Sequence, residues 1–175
     1  MNSQTGHDIK KKTKPNDIFL TPIALAKKHI DMVEYKQDDI WYDPFKNTGN
    51  YYNNYPTENK DWSEIIDGKD FFEYDKPVDI ICSNPPYSMI NQVLEKSIQL
   101  NPKIITYLIG MGNLTTKRIE VMNNAGYGLT KIRMLKVHNW YGMSFIVYFE
   151  KQEKIKNCIE FDRTIFYDDN RNKLK

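Results

Sequence analysis

The stretch Val78-Asp79-Ile80-Ile81-Cys82-Ser83-Asn84-Pro85-Pro86-Tyr87 decides the fold of this 175-residue chain. Its first six residues are mostly apolar, and a short apolar run of this kind predicts a buried strand. The strand is expected to end at Asn84, because the two prolines restrict the turn that follows. Residues 89–99 carry apolar side chains at helical spacing, so a helix is expected after the turn.

The tetrapeptide Asn84-Pro85-Pro86-Tyr87 fits one chemical task, the alkylation of a planar amino or amide nitrogen. The lone pair of such a nitrogen is delocalised, which makes it a poor nucleophile. The Asn84 side-chain oxygen and the Pro85 carbonyl can accept both amino hydrogens and aim the lone pair at a methyl donor. Pro86 stiffens the turn, and Tyr87 can stack on a base removed from its helix. The alternative is a plain turn that contains two prolines.

The whole chain alternates between helix-like and strand-like segments, which predicts one α/β domain with a mostly parallel sheet. The first helix is expected to have Thr21 as its N-cap and Pro22 at its first position. Helices are predicted over residues 21–33, 89–99 and 113–124, and strands over residues 40–42, 61–65, 78–83, 103–109, 129–137 and 144–150.

Composition narrows the class of protein. An apolar content of 40% excludes global disorder, and no run approaches the roughly 18 apolar residues of a membrane-spanning helix. Cys82 and Cys158 have no neighbours at metal-ligand spacing, and residues 1–14 lack a secretory signal. An intracellular protein without a membrane partner or a bound metal is therefore expected. The three histidines are predicted to be exposed or hydrogen-bonded within the fold: His7, His29 and His138.

Charge and composition also suggest three segments. Residues 1–16 form a basic, flexible arm whose lysines either stay solvated or contact phosphates. Residues 17–151 form the sheet domain, and residues 152–175 form a charged extension, docked in part through Phe161 and residues 165–167. The net charge of +2 is too small to establish a nucleic-acid partner by itself.

The order of these motifs resembles the class I methyltransferases that use S-adenosylmethionine (SAM), over about residues 17–151. More narrowly, it resembles the amino methyltransferases that act on adenine N6 in DNA, and small adenine-methyltransferase-like proteins of large DNA viruses and phages. The resemblance implies a Rossmann-like, seven-stranded sheet in the order 3-2-1-4-5-7-6, with strand 7 antiparallel and helices on both faces. It also implies SAM as the cofactor and DNA as the partner.

The resemblance assigns the first part of a SAM site. Thr21 and Pro22 would hold the amino-acid end of SAM at a helix N-terminus, and Asp43 would pair with its ammonium group. The family continues with a glycine-rich turn, whereas here the segment Phe45-Lys46-Asn47-Thr48-Gly49 keeps only Gly49. Asn47 is expected to replace a glycine, because asparagine tolerates left-handed backbone conformations.

The resemblance also assigns the nucleoside end of SAM and the substrate pocket. Glu64 would accept from the ribose hydroxyls, with Asp61 and Asp67 as alternatives, and Asp70 with Phe71 would hold the adenine. The substrate base would contact aromatic residues at the same edge of the sheet: Tyr87, Trp140 and Tyr141. Aromatic residues that merely close the sheet edge are the alternative for the last two.

Three functions remain open from the sequence. The first is methyl transfer from SAM to adenine N6 in DNA, with a homodimer or a partner subunit helping to recognise the target. The second keeps the enzyme but changes the acceptor to RNA or a protein glutamine. The third is a methyltransferase fold without turnover that binds nucleic acid, which the glycine-poor loop after Asp43 favours.

Overall fold

The computed structural model describes residues 20–138, 140 and 142–164. The strands are β1 (Trp41–Asp43), β2 (Lys60–Trp62), β3 (Ile80–Ser83), β4 (Ile104–Gly110), β5 (Tyr127–Leu135) and β6 (Ser144–Lys151). The α-helices are α1 (Ile23–Ile30), α2 (Ile90–Leu100) and α3 (Thr116–Asn124). Short 3-10 helices cover Tyr52–Asn54, Ile65–Asp67, Phe71–Glu73, Tyr87–Met89 and Met111–Asn113.

The six strands form one sheet in the order β2-β1-β3-β4-β6-β5. Neighbouring strands run parallel except for β6, which is antiparallel to both β4 and β5. The predicted α/β fold and its antiparallel strand are therefore confirmed. The edge strand expected outside β2 is not found among the described residues. Instead, the Glu64 and Asp70 carboxylates each accept a backbone N–H two residues ahead, which favours the 3-10 helices seen there.

The open edge of β2 is protected by side chains. The Asp61 carboxylate accepts the Trp62 N–H at 2.8 Å, and its second oxygen accepts from the Tyr74 hydroxyl (3.1 Å) and the Lys76 ammonium (3.0 Å). An edge strand whose N–H is already paired is a poor template for another strand. The sheet can therefore end at β2 without the additional strand.

Both faces of the sheet are buried, as the apolar runs of its central strands predict. Helices α2 and α3 pack on one face; on α2 the buried residues Ile90, Val93, Leu94 and Ser97 follow the helical spacing. On the other face α1 buries Ala26 and Ile30 against Trp41 and Tyr148. In the ranges that the structure covers, no helix is long and apolar enough to cross a bilayer.

The first helix corrects two predictions. It ends at Ile30 rather than near Val33, and its N-cap is Pro22, not Thr21. Thr21 is buried, and its hydroxyl accepts from the Asn84 side chain instead of from the helix backbone. A tertiary contact has replaced the local cap.

Candidate active site

The predicted site residues meet at the carboxyl ends of β1 and β3, beside a pocket of about 660 Å³. Such an edge of an open parallel sheet is where α/β folds bind ligands. The predicted residues that line the pocket are Thr21, Phe45, Glu64, Asp70, Phe71, Asn84 and Pro86. Asp43, Gly49 and Pro85 are buried behind this surface, and Pro22 is exposed outside it.

Asn84 is held at the end of β3 by contacts on both sides. Its side-chain nitrogen donates to the Thr21 hydroxyl at 3.1 Å, so the amide oxygen faces away from Thr21. The preceding Ser83 is fully buried, and its hydroxyl donates to the Asp43 carboxylate at 2.6 Å. The backbone and the amide of Asn84 are thus oriented before any substrate arrives.

Asp43 links the ends of β1 and β3 from a fully buried position. Its Oδ1 accepts from the Ser83 hydroxyl (2.6 Å) and the Phe45 N–H (3.3 Å). Its Oδ2 has no hydrogen-bond partner in the described part of the chain. Burial raises the pKa of this carboxyl to about 7, against the lowering effect of the Ser83 bond. Its predicted pairing with an ammonium group stays a prediction.

The loop after β1 contains two residues with a left-handed backbone. Asn47 has φ +46° and Gly49 has φ +84°, so the expectation that Asn47 tolerates this conformation is confirmed. A Cβ built on Gly49 would lie 2.6 Å from the Asn53 amide nitrogen. Gly49 is therefore required both by its φ and by this close approach.

Of the three acidic candidates for the ribose position, Glu64 is the one that lines the pocket. It follows β2 by two residues, and its carboxylate accepts the Asn47 N–H (2.8 Å) and the Ile66 N–H (3.3 Å). The alternative Asp61 is engaged at the sheet edge, and Asp67 is exposed 3.9 Å from the Lys46 ammonium. Neither alternative lines the pocket.

Aromatic residues form one wall of the pocket. Phe71 is almost fully buried, with its ring centroid 5.2 Å from that of Phe45 in an edge-to-face arrangement. The Asp70 carboxylate accepts the Phe72 N–H at 2.8 Å and so fixes this turn. Phe72 also lines the pocket, although only Phe71 was expected there. The adjacent Phe71-Phe72 pair in the sequence could have indicated this second lining residue.

Asn50 and Tyr51 are lining residues that the sequence motifs did not identify. The Asn50 amide donates to the Thr21 carbonyl at 2.7 Å, which ties the loop after β1 to the start of α1. The Asn- and Tyr-rich run over residues 50–55 could have indicated these two lining residues.

His29 holds Tyr51 in place from the core. The Thr106 hydroxyl donates to the Val147 carbonyl, so it must accept from His29 Nε2 (2.7 Å). His29 Nδ1 then accepts from the Tyr51 hydroxyl at 2.8 Å. Burial, with a smaller effect of Arg133, lowers the pKa of His29 to about 3 and keeps the ring neutral. The prediction of a hydrogen-bonded structural histidine is confirmed for this residue.

Tyr87 lies on the β4 side of the Asn84 turn, outside the 660 Å³ pocket. Its ring is half-buried and packs over Gly110; a Cβ built there would lie 3.4 Å from Tyr87 Cε2. Its hydroxyl is 3.5 Å from the Leu108 carbonyl. The turn thus presents Asn84 and Pro86 to the pocket and Tyr87 to the end of β4.

The loop between β5 and β6 lies at the same edge of the sheet. The Lys136 ammonium donates to the carbonyls of Trp140 (2.5 Å) and Gly142 (2.9 Å), and the Met111 N–H donates to the Met143 carbonyl (2.9 Å). Trp140 is half-buried there. Tyr141 lies outside the described residues, so its predicted contact with substrate stays a prediction.

The comparisons with known proteins identify the fold. No known protein family matches the sequence, and no curated protein matches it significantly. A protein from Pyrococcus horikoshii, provisionally assigned as an RNA methyltransferase, is 14% identical with a TM-score of 0.60, over 86% of this chain and 100% of its own. Magnesium protoporphyrin IX methyltransferase from Synechocystis, solved with bound SAM, is 8% identical (TM-score 0.53; 85% and 92% of the two chains).

A third similar structure comes from Vibrio vulnificus. It is a modification subunit provisionally assigned to a type I restriction enzyme, 12% identical with a TM-score of 0.53, over 85% of this chain and 47% of its own. At these identities the likeness concerns the fold alone. The chain has the Rossmann-like fold of class I methyltransferases.

Proposed function

We propose that this chain is a SAM-dependent methyltransferase that modifies the N6 amino group of adenine in DNA. The observation that carries the proposal is the placement of Asn84 at the pocket edge, with its amide oriented by Thr21. A methyl donor in the pocket and an amino group at Asn84 would then meet at the same edge of the sheet.

The residues of the pocket fit SAM. Behind the pocket surface, Asp43 Oδ2 has no hydrogen-bond partner among the described residues, which suits an ammonium group, and the Glu64 carboxylate in the pocket suits ribose hydroxyls. Asp70 and Phe71 suit an adenine, as an acceptor and an apolar wall. The volume of about 660 Å³ is within the usual range for a ligand of this size. When bound, SAM supplies a methyl group on a sulfonium that leaves as a neutral thioether.

The chain itself contributes orientation rather than acid or base chemistry. The Asn84 amide oxygen and the Pro85 carbonyl accept the two hydrogens of the target amino group and direct its lone pair at the methyl carbon. The new N–C bond forms as the S–C bond breaks, and the extra proton leaves to solvent. Correct placement of the two reactants supplies most of the rate gain.

RNA or a protein glutamine remains the alternative acceptor. The Pyrococcus protein is assigned to RNA and the Vibrio subunit to a restriction enzyme, so the shared fold does not choose between them. The Thr21-Pro22 pair before β1 favours the DNA group. The proposal of an inactive protein is weakened by the loop after β1, which keeps two left-handed residues with a single glycine.

The proposal is tested by supplying labelled SAM with duplex DNA, single-stranded DNA, RNA and glutamine-containing protein as separate acceptors. Hydrolysed products are identified by mass spectrometry. N6-methyladenine from DNA is the expected product. Methylated ribonucleosides or methylglutamine would replace the DNA assignment, and no product with any acceptor would favour a binding role.

A further inference from the structure

The charges of this chain divide between the two halves of its sheet. Residues 20–79, which contain β1 and β2, carry thirteen Asp or Glu and seven Lys, a net charge of −6. Residues 80–151, which contain β3 to β6, carry three Glu and eight Lys or Arg, a net charge of +5. The boundary runs between β1 and β3, beside the pocket. The overall charge of +2 hides this separation.

Arg118 is a fixed cation on the basic half. Its Nε donates to Asn91 Oδ1 (2.8 Å), and its Nη1 donates to the carbonyl and Oδ1 of Asn113 (2.8 and 3.3 Å). All of these acceptors are neutral, and no carboxylate of the described residues forms an ion pair with it. A half-buried guanidinium held only by neutral groups keeps its charge available to an anion.

Arg118 lies at the same sheet edge as Tyr87, on the side away from the donor pocket. Asn113 belongs to the 3-10 helix that directly follows β4, and both its side chain and the Tyr87 ring lie next to Gly110. Lys117 is exposed beside Arg118. A base stacked on Tyr87 would therefore bring its own backbone phosphates towards these two cations.

We propose that Asn113, Lys117 and Arg118, named here the Arg118 surface, bind the phosphodiester backbone of the nucleic acid that presents the target base. The inference rests on the proposed function and adds the surface that holds the acceptor. A polyanion suits the basic half of the sheet and is repelled by the acidic half, which fixes the orientation of approach. A neutral glutamine acceptor would have no use for this charge separation.

The test measures binding of fluorescent adenine-containing duplex DNA without SAM, between about 50 and 200 mM salt. Lys117→Gln and Arg118→Gln each remove one cation, whereas Arg118→Lys keeps the charge and loses the hydrogen-bond fork. The matched control is Lys27→Gln/Lys28→Gln on α1, two exposed lysines of the acidic half. Circular dichroism melts check that each variant folds. If Arg118→Gln does not fold, Lys117→Gln still tests the surface, because Lys117 is exposed.

Each lost phosphate contact should lower the slope of log affinity against log salt by about 0.9. Over this salt range, the DNA affinity of the double variant Lys117→Gln/Arg118→Gln should therefore fall by roughly tenfold less than that of the wild type. Arg118→Lys and the control should keep the wild-type slope. Slopes unchanged in all variants, equal losses in Arg118→Lys and Arg118→Gln, or no binding of the wild type would overturn the inference. Because SAM is absent, wild-type-like binding with no methyl transfer would reject the proposed function alone.

Discussion

At the scale of single residues, the contact between Thr21 and Asn84 matters most, because it joins side chains 63 positions apart. Thr21 is buried, and its hydroxyl accepts from the Asn84 amide nitrogen at 3.1 Å. The sequence suggested a local role for Thr21 as a helix cap. Local patterns could not reveal that this hydroxyl is used by a residue on another element.

Thr21→Val removes this acceptor while keeping the shape of the side chain. Loss of a buried hydrogen bond costs about 1 kcal/mol, and the Asn84 amide loses one of the contacts that orient it. We expect methyl transfer to fall by roughly fivefold to tenfold, in line with that energy. Steady-state kinetics with labelled SAM measure the loss. Thr21→Ser keeps the hydroxyl and is expected to retain most of the activity; equal loss in both variants would show that the methyl group, not the hydroxyl, is needed.

Asp43 predicts a dependence of folding stability on pH. The pKa of its carboxyl is raised to about 7 in the folded chain from an ordinary 3.8, so the folded state holds the proton more tightly than the unfolded state. The stabilisation of the folded state that results is fully present below about pH 4 and is lost as pH rises through 7. Stability should therefore decline by up to about 1.4 kcal/mol per pH unit across this window on account of Asp43.

Asp43→Asn removes the ionisation and keeps the acceptor for Ser83 and Phe45. Denaturant unfolding at several pH values should show that the variant lacks the part of the decline assigned to Asp43. The difference between the two proteins is the relevant quantity, since other carboxylates titrate in both. A difference independent of pH between 4 and 7 would show that Asp43 titrates normally.

At the scale of elements, the loop after β1 shows that an asparagine can supply the left-handed backbone that glycine usually provides. Asn47 and Gly49 both have positive φ, and the Asn47 N–H is held by Glu64. The tolerance of asparagine for this region was readable from the sequence. The choice of Glu64 over Asp61 and Asp67 was not, because it depends on where β2 ends and on which side chains the sheet edge occupies.

Substitutions in this loop should affect stability and SAM binding together. Gly49→Ala introduces a Cβ at positive φ and close to Asn53, and should cost about 1–3 kcal/mol. Asn47→Gly is expected to be nearly neutral, since glycine accepts φ +46° without strain. Thermal melts and calorimetric titration with SAM measure both effects. SAM affinity unchanged in a folded Gly49→Ala protein would separate the loop from the donor site.

The turn after β3 and the end of the sheet illustrate the limits of pattern reading. The strand, the turn and α2 follow one another along the chain, so local rules predicted them well. That no strand lies outside β2 among the described residues was not predictable, because this edge is closed by the Asp61 carboxylate together with Tyr74 and Lys76. That closure is a tertiary arrangement with no periodic signature.

At the scale of the whole molecule, the donor pocket and the Arg118 surface lie on opposite sides of the Asn84 turn. Most of the residues that line the pocket belong to the acidic half, whereas Tyr87 and Arg118 belong to the basic half. A cationic donor and a polyanionic acceptor would each be drawn to the half that suits it. Under the proposed function, this division would orient a nucleic-acid acceptor on the sheet domain itself.

The central claim is that Asn84 positions an adenine amino group for methyl transfer from SAM. The most direct measurement is transfer of labelled methyl to adenine-containing duplex DNA by the wild type and Asn84→Ala, with SAM affinity of both determined by calorimetry. We predict N6-methyladenine from the wild type and a loss of roughly a hundredfold or more in the variant, with SAM affinity nearly unchanged. Equal turnover by the two proteins would contradict the claim.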